Sequence, residues 1–122
     1  MSAKILLVED NEQNRYLVTF LLESHGFTVV HACNGHEALA GVQRESPDLI
    51  LMDIQMPDMN GYEAARRIRA TPGLKAIPIV AVTSYAMTGE RERALWLGFA
   101  GYIEKPICTE TFITEISRYL PL

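Results

Sequence analysis

The chain alternates short, wholly apolar runs with stretches in which apolar residues recur at helical spacing. Ile5-Leu6-Leu7-Val8 and Leu49-Ile50-Leu51-Met52 contain no polar residue at all. Such a run reads as a strand buried on both faces, the kind that lies inside a parallel sheet covered by helices. Both end on acids, Glu9-Asp10 after the first and Asp53 after the second. Between them, from Asn14 to His25, Leu17, Phe20 and Leu21, and then Phe27, space out at helical intervals, with Gly26 as a left-handed stop. Thr28 to Ala32 is a β-branched strand, Asn34-Gly35 a turn, and Ala38, Leu39 and Val42 mark one face of a second helix that Pro47 closes.

Beyond Asp53, Pro57, Asn60 and Gly61 break the chain into a loop before Tyr62, Ala65 and Ile68 mark a third helix, which Pro72-Gly73 ends. Ile77 to Val82 is the next strand, with Pro78 near its start, where a missing ladder donor is tolerated. Thr83-Ser84 leave that strand, and Gly89 to Leu97 reads as a fourth helix stopped by Gly98. Tyr102-Ile103 forms a brief last strand ended by Lys105-Pro106, and Thr109 can cap a final helix carrying Phe112, Ile113, Ile116 and Leu120. Strand and helix thus alternate five times. With short connections this implies parallel strands joined by right-handed crossovers, a three-layer α/β doubly wound sheet.

The carboxyl edge of such a sheet is where reactive groups collect. Glu9, Asp10, Asp53, Thr83 and Lys105 all fall there, because each ends a strand. Three neighbouring carboxylates raise one another's pKa unless a cation sits among them. An acidic, all-oxygen, partly hydrated pocket suits Mg²⁺, which takes one or two carboxylates together with phosphate oxygens and water. A hydroxyl and an ammonium opposite the acids are the groups that hold the remaining phosphoryl oxygens. The chemistry assembled is in-line phosphoryl transfer onto a carboxylate nucleophile, Asp53.

Composition removes several other classes. At 122 residues the chain is expected to be one domain, 1–122, with no linker or repeat. Net charge is -4, and the densest basic cluster, Arg66-Arg67-Ile68-Arg69, follows Glu63 on one helix, a solvated face with no nucleic-acid footprint. The first residues have neither a basic n-region nor a long apolar core, so no signal peptide and no membrane span are expected. Cys33 and Cys108 lack metal-type or redox-type spacing, which fits free thiols in a reducing cytoplasm. His31, Cys33 and His36 have no fourth ligand nearby for zinc. With Ala94, Leu97 and Gly98 taken as the core side of the fourth helix, Trp96 points to solvent.

Four motifs in order carry a resemblance that spans essentially the whole chain: Glu9-Asp10; Met52-Asp53 with Met56-Pro57 and Gly61; Ala81-Val82-Thr83; and Tyr102-Ile103-Glu104-Lys105-Pro106. Together they resemble the receiver domain of two-component response regulators. The resemblance implies a flavodoxin-like five-stranded sheet of order 2-1-3-4-5 with five helices. It implies that Asp53 accepts phosphate from a histidine kinase or phosphotransfer protein, and that Glu9, Asp10, Asp53 and the backbone carbonyl of Gln55 surround Mg²⁺. It further implies that Thr83 and Lys105 contact the phosphoryl group, that Thr83 and Tyr102 move together as a switch, that Gln55 and Tyr85 tune water access, and that the Lys105-Pro106 bond is cis. The protein would catalyse its own phosphorylation and dephosphorylation, then present a changed face of helix four, strand five and helix five to protein partners.

Within that family the segment Tyr85 to Ala94 is typical of stand-alone receivers, and no output domain is expected; receivers of hybrid kinases are similar. Phe99-Ala100 departs from the family's small-then-polar pair, which bears on the packing between the fourth helix and the last strand. Two rival readings are an aspartate-nucleophile phosphohydrolase and a receiver-like module that docks partners without phosphate. The first needs a general acid two residues after Asp53, where Gln55 stands; the complete acidic set argues against the second.

Overall fold

A computed structural model describes residues 3–56, 59–74, 76–83 and 90–120. The elements are β1 (Lys4–Val8), α1 (Glu12–Ser24), β2 (Thr28–Ala32), α2 (Gly35–Glu45), β3 (Leu49–Asp53), α3 (Gly61–Ala70), β4 (Ile79–Thr83), α4 (Glu90–Trp96), β5 (Gly101–Glu104) and α5 (Phe112–Ser117). All strand pairs are parallel, in the order β2-β1-β3-β4-β5, with Val8 beside Met52, Asp53 beside Val82 and Thr83 beside Glu104.

The uninterrupted apolar runs are explained by two cores, one on each side of the sheet. Leu6, Val8, Ile50, Met52, Ile79 and Ala81 point toward α2, α3 and α4. Ile5, Leu7, Leu49, Leu51, Val80 and Val82 point toward α1 and α5. Side chains alternate across a strand, so a strand covered on both faces needs an apolar residue at every position. Asn11, Asn34 and Asn60 cap α1, α2 and α3, each side chain accepting the N–H of the residue three further on. These caps satisfy backbone donors that the first helical turn leaves unpaired, and they set all three helix starts at the carboxyl edge of the sheet.

Several local expectations shift. Asn34-Gly35 is a helix cap and first helical residue rather than a turn. β4 begins at Ile79, because the Pro78 carbonyl only accepts from Ile50 N–H (3.0 Å) and proline has no N–H to return; Thr83 is therefore its last residue. α5 starts at Phe112, not beside Thr109, and its cap residue Thr111 makes no side-chain capping bond. On α1 the buried pair is Val18 and Leu22, whereas Leu17 and Phe20 are exposed, Phe20 at 59%. On α4 Ala94 is buried but Leu97 is 43% exposed; Phe99, just after the helix, takes the core position instead. Phe99 meets the Tyr62 ring edge-on (centroids 5.9 Å apart, planes at 88°), which is how the large residue at the family departure is accommodated. The Lys105-Pro106 peptide is cis.

Two expected results follow from the topology. Cys33 and Cys108, both free and exposed, come after the two edge strands. Four strand spacings are roughly 19 Å, whereas a disulfide needs α-carbons within about 7 Å. Mild oxidation is expected to leave the monomer without an internal bridge; a two-proton mass loss in monomeric protein would contradict the strand order. Trp96, 88% exposed, is expected to emit as a solvated indole open to iodide, and a blue-shifted, quencher-insensitive spectrum would contradict the placement of α4.

Candidate functional site

The parallel sheet brings the ends of β1, β3, β4 and β5 to one edge, and with them the expected residues. Carboxylate oxygens of Glu9, Asp10 and Asp53 lie within 4.8 Å of one another. Among the described residues this is the only group of three His, Cys, Asp or Glu side chains able to converge on one metal ion, so His31, Cys33 and His36 form no such set. Glu9 and Asp53 are buried and Asp10 is exposed, an arrangement that leaves one side of the cluster open to water.

Lys105 closes the other side. Its Nζ donates to Glu9 Oε1 at 2.7 Å and lies 3.5 Å from Asp53 Oδ2, with 13% of its side chain exposed. Its backbone N–H donates to the Thr83 carbonyl at 2.8 Å, so ammonium and threonine are held in register across β4 and β5. Thr83 is buried at the end of β4, and Tyr102 is buried one strand over, paired with Ala81. Gln55 N–H donates to Asp53 Oδ1 at 3.1 Å, which fixes the carboxylate's rotation.

The charges do not balance without a further cation. Burial, first, and then the hydrogen bond and charge of Glu9 push the Asp53 carboxyl up to about 7, against the smaller downward pull of Lys105 and the Gln55 N–H. The carboxyl holds its proton this tightly because it is buried and, second, because the Glu9 carboxylate lies against it. Hard oxygen donors, an open side and an uncompensated charge fit a small divalent cation such as Mg²⁺.

Two clamps were not anticipated from the sequence. Arg15 Nη1, one turn into α1, donates to the Glu9 carbonyl at 2.9 Å, and Asn11 N–H donates to Glu9 Oε2 at 3.2 Å. Basic and capping residues soon after an acid pair were the available signal, but any surface helix offers the same. A groove of about 260 Å³ also opens beside the acids, lined by Gln55, Asn60, Tyr62, Thr83 and Arg93. Pro57, Ser84, Tyr85 and Gly89 lie outside the described residues, as does the first half, 85–89, of the Tyr85 to Ala94 segment.

Comparison with known proteins agrees with this architecture. The family model described as the response regulator receiver domain matches residues 5–117. The polar-differentiation response regulator DivK of Brucella anthropi is 42% identical over 120 residues, covering 98% of each chain, and that of Brucella ovis is 41% identical over the same span. Among solved structures, the chemotaxis protein CheY4 of Vibrio cholerae superposes with a TM-score of 0.92 at 32% identity, covering 98% of this chain and all of that one. The receiver domain of a sensor histidine kinase from Pseudomonas aeruginosa PAO1, whose structure has a magnesium ion coordinated in the active-site cleft, superposes at 0.89 with 35% identity and 98% coverage of both. No helix among the described residues is long and apolar enough to cross a membrane. A doubly wound sheet of order 2-1-3-4-5, an acidic cluster at its carboxyl edge and a family match over nearly the whole length lead to one assignment: this chain belongs to the response regulator receiver domain family and is a signalling domain of a two-component system.

Proposed function

We propose that the protein is a Mg²⁺-dependent phosphoacceptor switch in which Asp53 takes a phosphoryl group from a histidine kinase or phosphotransfer protein. The observation that carries this reading is the convergence of three carboxylates within 4.8 Å, with one ammonium against two of them, at the carboxyl edge of the sheet. Glu9, Asp10, Asp53 and the Gln55 backbone carbonyl would hold the ion. When bound it supplies charge neutralisation for the phosphoryl oxygens.

The chain's own residues do the rest. An Asp53 carboxylate oxygen bonds to phosphorus as the donor's P–N or P–O bond breaks, and the donor leaves with that electron pair. Attack requires the ionised carboxylate, which Lys105 and the Gln55 N–H favour and which burial and Glu9 oppose. Lys105 is placed to neutralise a transferring group, and Thr83, at the same edge, to donate a hydroxyl to it. The switch pair is Thr83 and Tyr102, and α4, β5 and α5 form the face offered to protein partners. A cytoplasmic setting is part of the proposal, supported by two exposed free cysteines.

Acetyl phosphate or phosphoramidate with Mg²⁺ is expected to add one phosphoryl group, read by intact mass, and none to Asp53→Asn. Labelling that persists undiminished in that variant would sink the assignment of the acceptor, and turnover of a small phosphomonoester would favour a phosphohydrolase instead.

A further inference from the structure

The groove beside the acids is bridged by a contact that neither the metal cluster nor the threonine–tyrosine pair uses. Arg93, on α4, stacks its guanidinium over the Tyr62 ring, 4.6 Å from the centroid. The edge of the same ring system meets Phe99, which follows α4. Among the described residues Arg93 is the only charged one lining the groove, and no carboxylate of those residues lies within ion-pair distance of it. The backbone just before Tyr62 is packed against that of the acceptor. Tyr62 directly follows Gly61, whose N–H donates to the Ile54 carbonyl at 2.9 Å and where an added Cβ would sit 2.6 Å from the Asp53 carbonyl oxygen and 2.8 Å from Ile54 Cα. The backbone of Asp53 and Ile54, the first turn of α3 and the side of α4 are therefore in one continuous packed line.

We propose that Tyr62 and Arg93 are positioning residues that tie the charge state of Asp53 to the placement of α4, on a route separate from Thr83 and Tyr102. The inference rests on the phosphoacceptor reading above. A phosphoryl group adds further negative charge at the end of β3. A guanidinium stacked on an aromatic face, with no carboxylate partner among the described residues, is weakly bound compared with one that meets a phosphate or its field. Arg93 is drawn from Tyr62 toward the acidic edge, and because Arg93 is part of α4, loss of that stack and the pull on its side chain re-seat the helix against α3. Phe99, which packs on the same ring, carries the change to the end of α4.

Trp96 reports the event, since it lies on α4 one turn beyond Arg93 and is 88% exposed. The experiment measures iodide quenching of Trp96 before and after saturating acetyl phosphate with Mg²⁺, with intact mass recorded on the same samples. Wild type, Tyr62→Phe and Arg93→Lys, which keep a ring and a cation, are expected to change their quenching constant on phosphorylation. Tyr62→Leu and Arg93→Gln are expected to accept the phosphoryl group to the same extent and to lose at least about four-fifths of that change. Full responses in Tyr62→Leu and Arg93→Gln, or a labelled wild type whose Trp96 does not respond, overturn the inference and leave the phosphoacceptor reading standing. A wild type that takes no label overturns both.

Discussion

Asp53→Asn is expected to melt above wild type in EDTA at pH 8, and Mg²⁺ is expected to raise wild type much more than the variant. In the metal-free fold Asp53 is buried beside Glu9, and its carboxyl is pushed from 3.8 up to about 7. A raised carboxyl binds its proton more tightly when folded. Its contribution to stability is therefore fully present below the unfolded value of 3.8 and is lost as pH rises through about 7. At pH 8 the folded state carries the whole penalty, on the order of 2–4 kcal/mol for a shift of this size. Asparagine removes the charge and with it most of that penalty.

The two melting curves should therefore approach each other as pH falls toward 4 and separate as it rises through 7. A cation bound only by the folded form adds about 2.7 kcal/mol at a hundredfold excess over Kd. With one fewer carboxylate the variant binds it less tightly and gains less. Thermal melts of both proteins at pH 5.5 and pH 8, with EDTA and with excess Mg²⁺, decide the matter. A variant that melts below wild type in EDTA at pH 8, with wild type unmoved by Mg²⁺, would mean that the acids do not repel one another.

Lys105→Met should have the opposite sign. The ammonium is mostly buried, 2.7 Å from Glu9 Oε1 and 3.5 Å from Asp53 Oδ2. Methionine keeps an apolar stem but leaves two buried carboxylates facing each other, and breaking a buried pair from one side costs about 3–5 kcal/mol. In EDTA at pH 8 the variant is expected to lose about 3 kcal/mol and to accept no phosphoryl group from acetyl phosphate. Combined with Asp53→Asn the loss should shrink, since the ammonium's removal then strands one buried carboxylate rather than two; residues in contact couple in this way. Equal melting of Lys105→Met and wild type at pH 8 in EDTA would show that Lys105 is not the counter-charge of this edge.

What was legible in the sequence was what local pattern forces. Ile5 to Val8 and Leu49 to Met52 are apolar at every position, and only a strand covered on both sides requires that, so the sheet, its parallel sense and the acids at its edge could be read directly. Gly26 and Gly98, at φ +88 and +98, ended the helices where they were expected to. Local pattern was silent where several answers satisfy it equally. α1 has apolar residues at 16, 17, 18, 20, 21 and 22, enough to build more than one stripe. Packing on the sheet selected Val18 and Leu22 and left Tyr16, Leu17 and Phe20 outside.

At the site, the acids could be listed from sequence but their partners could not. Lys105 bonds Glu9 across 96 positions of chain, Arg15 reaches back to the Glu9 carbonyl, and Arg93 settles on Tyr62 of another helix. Each of these pairings depends on which strands and helices become neighbours and on how far a flexible side chain must reach. The sequence alone determined the elements and the chemistry at their ends; the tertiary structure decided the pairing of charges, because Coulomb and hydrogen-bond energies depend on distances that only the folded sheet defines.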